Sequence, residues 1–273
     1  GGDDNKTTGN GWSMGDSVTF SASGDVNDIG VTVSYEMDGA ENTSGLDDHS
    51  ITFDLGDAGT LVFAGHGGSS ALSAIDDKMP AAYEEPWAVV TGASAAVVNG
   101  DAENNMFKYT YAHESGLNLN LYYVNASDAG TDVSYSDYGV TYTGMDGLTV
   151  GYGEGEVEVT TGTKANESTM FAKYAIGAAT VGIQVSEKDM ETGTDTESTG
   201  IGVSYQVNDD LTVSYGTNTL ESGTSPDQDS TAVGISYTMG SLGISFSMNQ
   251  VDNIANSGAN DREAYQLGLS FAF

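Results

Sequence analysis

Hydrophobic and polar residues alternate with a period of two along almost the whole chain. The segment Ile29–Met37 (IGVTVSYEM) puts Ile, Val, Val, Tyr and Met on one face and Gly, Thr, Ser and Glu on the other. The segments 201–207 and 233–237 repeat this pattern. Successive side chains of a β-strand point to opposite faces, whereas a helix repeats about every 3.6 residues. The pattern therefore predicts an all-β protein.

The alternation predicts roughly fifteen strands, most of them about ten residues long. A tilted strand of about 9–11 residues spans the apolar part of a bilayer. No apolar run approaches the ~20 residues that a membrane helix needs. The predicted spans are 12–23, 28–38, 48–55, 59–66, 104–113, 117–126, 134–144, 147–156, 166–176, 179–189, 198–207, 210–220, 230–239, 241–250 and 262–273.

Tight turns and long polar loops alternate between the predicted strands. One rim of the structure would then carry the turns and the other rim the loops, an asymmetry typical of outer-membrane barrels. A soluble β-sandwich, the alternative, mixes loop lengths at both ends. The tight turns include one at 24–27, and the long loops cover 39–47, 67–103, 127–133, 157–165, 190–197, 221–229 and 251–261.

The two predicted faces differ in a way that favours a membrane barrel over a sandwich. The polar face carries Ser, Thr, Gly, Gln and Asn with few charges, which suits a water-filled lumen. The apolar face would contact lipid, with tyrosines near strand ends forming an interfacial girdle. These tyrosines are Tyr35, Tyr109, Tyr111, Tyr123, Tyr152, Tyr174, Tyr215 and Tyr237.

Composition narrows the possible functions. The 273 residues include 7 Lys and Arg against 40 Asp and Glu, a formal net charge of −33. Nucleic-acid binding needs clustered bases, so we expect no nucleic-acid partner. The chain has no cysteine, which excludes disulfides and thiolate metal sites. HExxH and P-loop motifs are missing from the sequence, so we expect no enzymatic activity.

The last strand, 262–273, carries a specific feature. Its apolar face ends on the final residue and consists of Tyr265, Leu267, Leu269, Phe271 and Phe273. This pattern resembles the C-terminal assembly signature of Gram-negative outer-membrane proteins. The rest of the chain resembles the general diffusion porins of the alphaproteobacterial branch. The segment 59–72 (GTLVFAGHGGSSAL) is similar to the strand entering their constriction loop, and 105–111 (NMFKYTY) to the strand leaving it.

This resemblance implies one porin domain over residues 1–273, with an antiparallel transmembrane β-barrel of the 16-stranded type. It also implies a homotrimer in the bacterial outer membrane, in contact with lipid, that passes ions and small hydrophilic solutes. The predicted strands 12–23 and 262–273 run in the same direction, so fifteen strands would close only through a parallel seam. We therefore predict a further strand that precedes this chain, or one supplied by residues 1–11 or 87–91.

We call residues 67–103 the constriction loop. A loop of about 37 residues is usually functional or disordered. Its apolar stretches 88–90 and 93–98 predict packing against the inner wall, with an external cap or an inter-subunit latch as alternatives. The resemblance implies that its acidic residues narrow the pore and face a basic wall, yet 16–22 contains no base.

The predicted constriction residues combine this loop with inward-facing strand positions. Acidic rings favour cations, so we predict a cation preference. The residues are Asp76, Asp77, Lys78, Glu84, Glu85, Lys108, Lys173, Asp54 and Glu36, and the loop also contains Asp101 and Glu103.

Acidic loops such as 189–195 (DMETGTD) could bind structural Ca²⁺. We expect no other cofactor. A competing hypothesis is a secreted or surface-layer β-protein that binds Ca²⁺ through these loops.

Overall fold

A computed structural model of the chain describes residues 17–37, 48–95, 97–98, 105–124, 134–160 and 163–271. These residues form one antiparallel sheet whose fifteen strands pair in sequence order. The strand count and the all-β class are as predicted. The strands are β1 Val18–Val26, β2 Ile29–Met37, β3 His49–Asp54, β4 Thr60–His66, β5 Met106–Ala112, β6 Leu117–Val124, β7 Tyr135–Met145, β8 Leu148–Thr160, β9 Thr163–Ile176, β10 Ala179–Met190, β11 Thr196–Gln206, β12 Leu211–Ser222, β13 Gln228–Met239, β14 Leu242–Asp252 and β15 Arg262–Phe271.

Two predicted connections are wrong in position. The turn expected at 24–27 lies at Asn27 and Asp28, whose φ values are 51° and 65°. A two-residue hairpin turn favours positive φ, and Asn and Asp tolerate this conformation. The loop expected at 157–165 is mostly strand, because β8 and β9 remain paired from Val157–Ala165 to Thr160–Thr163. The alternation simply continues there, and β-branched residues favour it.

The strands β1 and β15 form the two edges of an open sheet. Because all fifteen strands pair antiparallel in order, both edge strands run in the same direction. They do not pair with each other in the described part of the chain, which agrees with the argument against a parallel seam. Residues 87–91 form turns rather than the proposed extra strand, and Val90 N–H donates to the Trp87 carbonyl at 3.2 Å. The segments 1–11 and 12–16 lie outside the described residues, and the sixteenth strand stays a prediction.

Cross-strand pairing places apolar and small polar residues on opposite faces of the sheet. On β10, β11 and β12 the apolar face contains Val181, Val203 and Tyr215, and the polar face contains Gly182 and Gly202. The apolar face is solvent-accessible, as a lipid-contacting face requires: Ile183 is 46% exposed. All eight predicted girdle tyrosines lie on this face. In the described part of the chain, no helix has the length and apolar character needed to cross a membrane.

Candidate pore constriction

The constriction loop is fastened to the polar face of the sheet. Contacts reach both β7 and β15, so the sheet curves around the loop, and the prediction that the loop folds inside is confirmed. The contacts join wall side chains to loop main-chain groups: Lys108 Nζ to Ser70 O (3.4 Å), Asp137 to Ala71 N and Leu72 N (3.0 Å each), Gln184 Oε1 to Lys78 N (2.7 Å), Ser214 Oγ to Ala82 N (2.8 Å), Asn249 Nδ2 to Glu85 O (2.6 Å), Arg262 Nη1 to Thr91 O (3.0 Å) and Gln228 Nε2 to Ser94 O (2.7 Å).

Inward-facing glycines give the loop room to lie against the wall. A Cβ on Gly202 would lie 2.8 Å from the Pro80 carbonyl oxygen, and one on Gly200 would lie 2.1 Å from Met79 Sδ. A Cβ on Gly153 would meet the side chains of Ile75 and Leu72 at 2.5 and 2.7 Å. Real Cβ atoms do not approach other atoms this closely, so each glycine is a docking position for the loop.

The first turn of the loop packs into the apolar core inside the lumen. Leu72 and Ile75 are 0% and 1% exposed and pack with Tyr122, Tyr135 and Phe171 of the inner wall. Burial of a large aliphatic side chain stabilises a fold by roughly 1.5–3 kcal/mol. Asp137, 6% exposed, binds the main chain of this same turn. Apolar packing and buried hydrogen bonds therefore hold the loop at one place.

The acidic loop residues lie past this anchor. Asp77 is exposed, while Asp76, Glu84 and Glu85 are half-buried. Burial, together with the Asp77 carboxylate, raises the pKa of Asp76 to about 7, and burial also raises the pKa values of Asp77 and Glu85. Gln184 Nε2 donates to Asp76 Oδ1 at 3.2 Å. The loop therefore presents a carboxylate, Asp76, whose charge changes near neutral pH.

Two of the predicted basic residues, one in the loop and one on the wall, lie close to these carboxylates. Lys78 belongs to it, and its main-chain N–H is bound by Gln184. Lys173 lies on β9 with its ammonium 5.8 Å from the centre of the Phe171 ring. A Cβ on Gly182 would contact both the Lys173 stem (3.1 Å) and Pro80 (2.6 Å). The structure therefore brings Asp76, Asp77, Lys78, Glu84, Glu85 and Lys173 to one region.

The other three predicted constriction residues lie elsewhere. Glu36 and Lys108 line a polar recess of about 420 Å³ beside the start of the loop, together with His66. Lys108 also donates to Ser69 Oγ at 3.2 Å, so it anchors the loop. Asp54 is near the tight-turn rim, where it lines a recess of about 270 Å³ with Asp25, an inward carboxylate that the sequence reasoning missed.

The wall formed by β1–β4 carries no Lys or Arg. No Lys or Arg occurs between Lys6 and Lys78 in the sequence. The inward charged residues of the described strands β1–β3 are Asp25, Glu36 and Asp54. The described residues form three ion pairs, and none includes a carboxylate of the loop. The basic wall implied by the resemblance is therefore missing on this side of the lumen.

Sequence reasoning missed the residues that hold the loop. Asp137, Gln184, Ser214 and Asn249 resemble ordinary polar positions of the lumen face. Glu167 and Lys188 form a buried pair at 2.6 Å on the same wall, with side chains 1% and 17% exposed. The usable signal was the excess of inward glycines on β7–β13, which indicates that another part of the chain approaches that face.

The structure describes some of the remaining predicted site residues and not others. Tyr265, Leu267, Leu269 and Phe271 project from the exposed apolar face of β15, and Leu267 is 64% exposed. Phe273, Asp101 and Glu103 lie outside the described residues. In the acidic loop 189–195, Asp195 Oδ1 accepts the Met190 N–H at 2.8 Å. No group of three or more His, Asp or Glu among the described residues is arranged to hold a metal ion, and Ca²⁺ binding stays a prediction.

Comparison with solved structures shows the same fold. An anion-selective porin from Comamonas acidovorans has a TM-score of 0.71 at 16% identity, covering 94% of this chain and 89% of the other. OmpT, an outer-membrane protein of Vibrio cholerae folded in vitro, has a TM-score of 0.70 at 16% identity, covering 95% and 89%. A trimer form of OmpT has a TM-score of 0.68 at 16% identity, covering 95% and 91%.

A search of curated protein sequences gives no match. A sequence model described as Gram-negative porin matches residues 1–273, the full length given. The inward loop and the exposed apolar outer face agree with that match. They favour a channel over the surface-layer hypothesis and over an enzyme. The chain belongs to the Gram-negative porin family and is a β-barrel channel protein of the bacterial outer membrane.

Proposed function

We propose that this porin conducts small hydrophilic solutes passively and prefers cations. The observation that carries the proposal is the imbalance of charge around the lumen. Besides Asp137, which binds the loop main chain, seven inward or loop carboxylates lack an ion-pair partner among the described residues: Asp25, Glu36, Asp54, Asp76, Asp77, Glu84 and Glu85. The bases of the same region are fewer, namely Lys78, Lys108, Lys173 and Arg262, and two of these bind the loop main chain.

A narrow channel lined by one sign of charge concentrates ions of the opposite sign. Here both the loop and the β1–β3 wall are acidic, so carboxylates on both sides of the lumen would attract cations. The porin from Comamonas acidovorans is described as anion-selective and has the same fold. The sign of selectivity must therefore come from side chains rather than from the architecture.

The place of this chain in the alphaproteobacterial branch also remains a proposal, resting on the segments 59–72 and 105–111.

A solute-uptake experiment tests this function directly. Liposomes that contain the porin should swell faster in an isotonic solution of an amino sugar, such as glucosamine, than in gluconate of similar size. The acidic lumen attracts the protonated amine and repels the carboxylate. Glucose measures the neutral baseline and should fall between them. Faster entry of gluconate would contradict the proposed cation preference, and no uptake of glucose would contradict the channel.

We further propose that the porin forms a homotrimer through the outer face of β1–β3. A solved OmpT structure is described as a trimer form. Closed cyclic symmetry is the common state of homo-oligomers. In the described part of the chain no Asp, Glu, Lys or Arg faces outward on β1–β3, whereas β10–β12 present Glu187, Glu197 and Glu221. The small outward Ala22 permits close approach.

Mass measurement in mild detergent should give three chains per particle. Phe20, 59% exposed on β1, should be central to the contact, and Phe20→Arg should release monomers because a charge would be buried at the interface. Ile183, on the outer face of β10 and 46% exposed, provides the matched control, and Ile183→Arg should leave the trimer intact. A native protein that is monomeric under these conditions contradicts the proposal.

A further inference from the structure

The loop between β14 and β15, residues 253–261, packs on the returning half of the constriction loop. Ile254 is 2% exposed and forms a buried cluster with Val90 and Val251. A Cβ on Gly92 would lie 3.5 Å from Ile254 Cγ2, within ordinary contact distance. We call residues 253–261 the rim loop, because they belong to the rim of the sheet that carries the long loops. The rim loop therefore forms part of the surface that holds the constriction loop.

A buried side-chain amide also joins the two loops, through hydrogen bonds. Gln228, at the start of β13, is 0% exposed. Its Nε2 donates to the Ser94 carbonyl of the constriction loop at 2.7 Å, and its Oε1 accepts the Ala255 N–H of the rim loop at 3.1 Å. Loss of either bond would leave a buried polar group without its partner, which is unfavourable. The position of one loop therefore depends on the position of the other.

The rim loop has a strained backbone that other loops hold in place. Asn253, Ala255, Asn256 and Ala259 all have positive φ, from 53° to 68°. This conformation is unfavourable for alanine, which has a Cβ. Asn256 Nδ2 donates to the Leu220 and Pro226 carbonyls at 2.8 and 3.0 Å. The conformation thus depends on contacts with the β12–β13 connection, and a disturbance there would allow the rim loop to relax and withdraw Ile254.

We infer that Gln228 is a positioning residue that couples the rim loop 253–261 to the constriction loop. A change imposed on the rim loop from outside then alters the aperture, although the rim loop does not carry the constriction carboxylates. The inference rests on the channel function and goes beyond it. It assigns control of the pore to a loop that sequence reasoning treated only as a long connection.

A thiol label on the rim loop tests the coupling. The chain has no cysteine, so Ser257→Cys, at an exposed position with an extended φ of −108°, gives a single reactive site. A bulky, uncharged maleimide attached there should raise the frequency of current interruptions about fivefold in single-channel recordings, the size that loss of one hydrogen bond permits. In the Gln228→Met background the same label should have a smaller effect, because the hydrogen-bonded half of the contact between the loops is already lost.

Controls separate coupling from simple obstruction of the mouth. Gln250 lies on the outer face of β14, so Gln250→Met should preserve the full effect of the label. If Gln228→Met does not give folded channels, Ile254→Ala should reduce the effect by removing the apolar half of the contact. An equal effect in the native and uncoupled backgrounds would show obstruction and overturn the inference, as would no effect in the native background. Failure of the unlabelled Ser257→Cys protein to conduct would instead contradict the channel function.

Discussion

Replacing Asp137 with alanine is expected to release the first turn of the constriction loop while the barrel wall stays folded. The substitution removes the acceptor of the Ala71 and Leu72 N–H groups, which are both bound at 3.0 Å in a buried site. An unsatisfied buried donor costs about 1–3 kcal/mol. Leu72 is 0% exposed, so a cysteine introduced there should react with a water-soluble thiol reagent about tenfold faster, or more, in the Asp137→Ala background.

Two further variants make this result specific. Asp25→Ala removes an inward aspartate of β1. Among the described residues, the Asp25 side chain forms no hydrogen bond with the loop, so this substitution should leave the reaction rate unchanged. Gly202→Val should accelerate the reaction by another route, because its side chain would collide with the Pro80 backbone. Gly24→Val is its control, since nothing lies within 4 Å of a Cβ there. An unchanged rate in both Asp137→Ala and Gly202→Val would contradict the anchoring of the loop.

The second large effect concerns ion selectivity. The quadruple variant Asp76→Asn, Asp77→Asn, Glu84→Gln and Glu85→Gln should lose most of the cation preference, because it neutralises the loop side of the lumen and leaves the wall unchanged. The measurement is the zero-current potential in a KCl gradient at low ionic strength, where screening is weak. The matched control removes four charges from the outer face instead, as Glu187→Gln, Asp189→Asn, Glu197→Gln and Glu221→Gln, and should keep the native potential.

The pH dependence of this potential provides an internal check. A carboxyl with a raised pKa is charged above that pKa and neutral below it. The pKa of Asp76 is about 7, and those of Asp77 and Glu85 are also raised. Cation selectivity should therefore weaken as the pH falls from 8 to 6, well above the usual range of carboxyl groups. The quadruple variant should show no such change, and a native channel that is independent of pH in this window would contradict the protonation account.

The alternation of residues was sufficient to predict the sheet, because one face meets lipid and the other meets water in nearly every strand. It failed where the conformational preference of single residues decides at which of several neighbouring positions a strand ends. The first turn lies at Asn27 and Asp28 rather than at 24–27, because both residues tolerate positive φ. Strand β8 continues through Val157 into a segment that was predicted to be a loop. In each case the period stayed correct and only the end of a strand changed.

The site was less accessible to prediction because its contacts join distant parts of the chain. Asp137 and Ala71 are 66 residues apart, and Gln184 and Lys78 are 106 apart. Nothing in the local sequence distinguishes these two side chains from other lumen residues. Lys108 was expected to line the constriction, but it fastens the start of the loop. The acidic character of the pore was predictable from composition, whereas the means of holding the loop were not.

The most direct test of the whole account is the zero-current potential of the native porin in a planar bilayer that separates concentrated from dilute KCl at pH 8. A water-filled channel with an acidic constriction loop and an acidic facing wall passes K⁺ more readily than Cl⁻. The account predicts that the dilute side becomes positive. A dilute side that becomes negative would show chloride preference and would contradict the assignment of Asp76, Asp77, Glu84 and Glu85 to the conducting pathway.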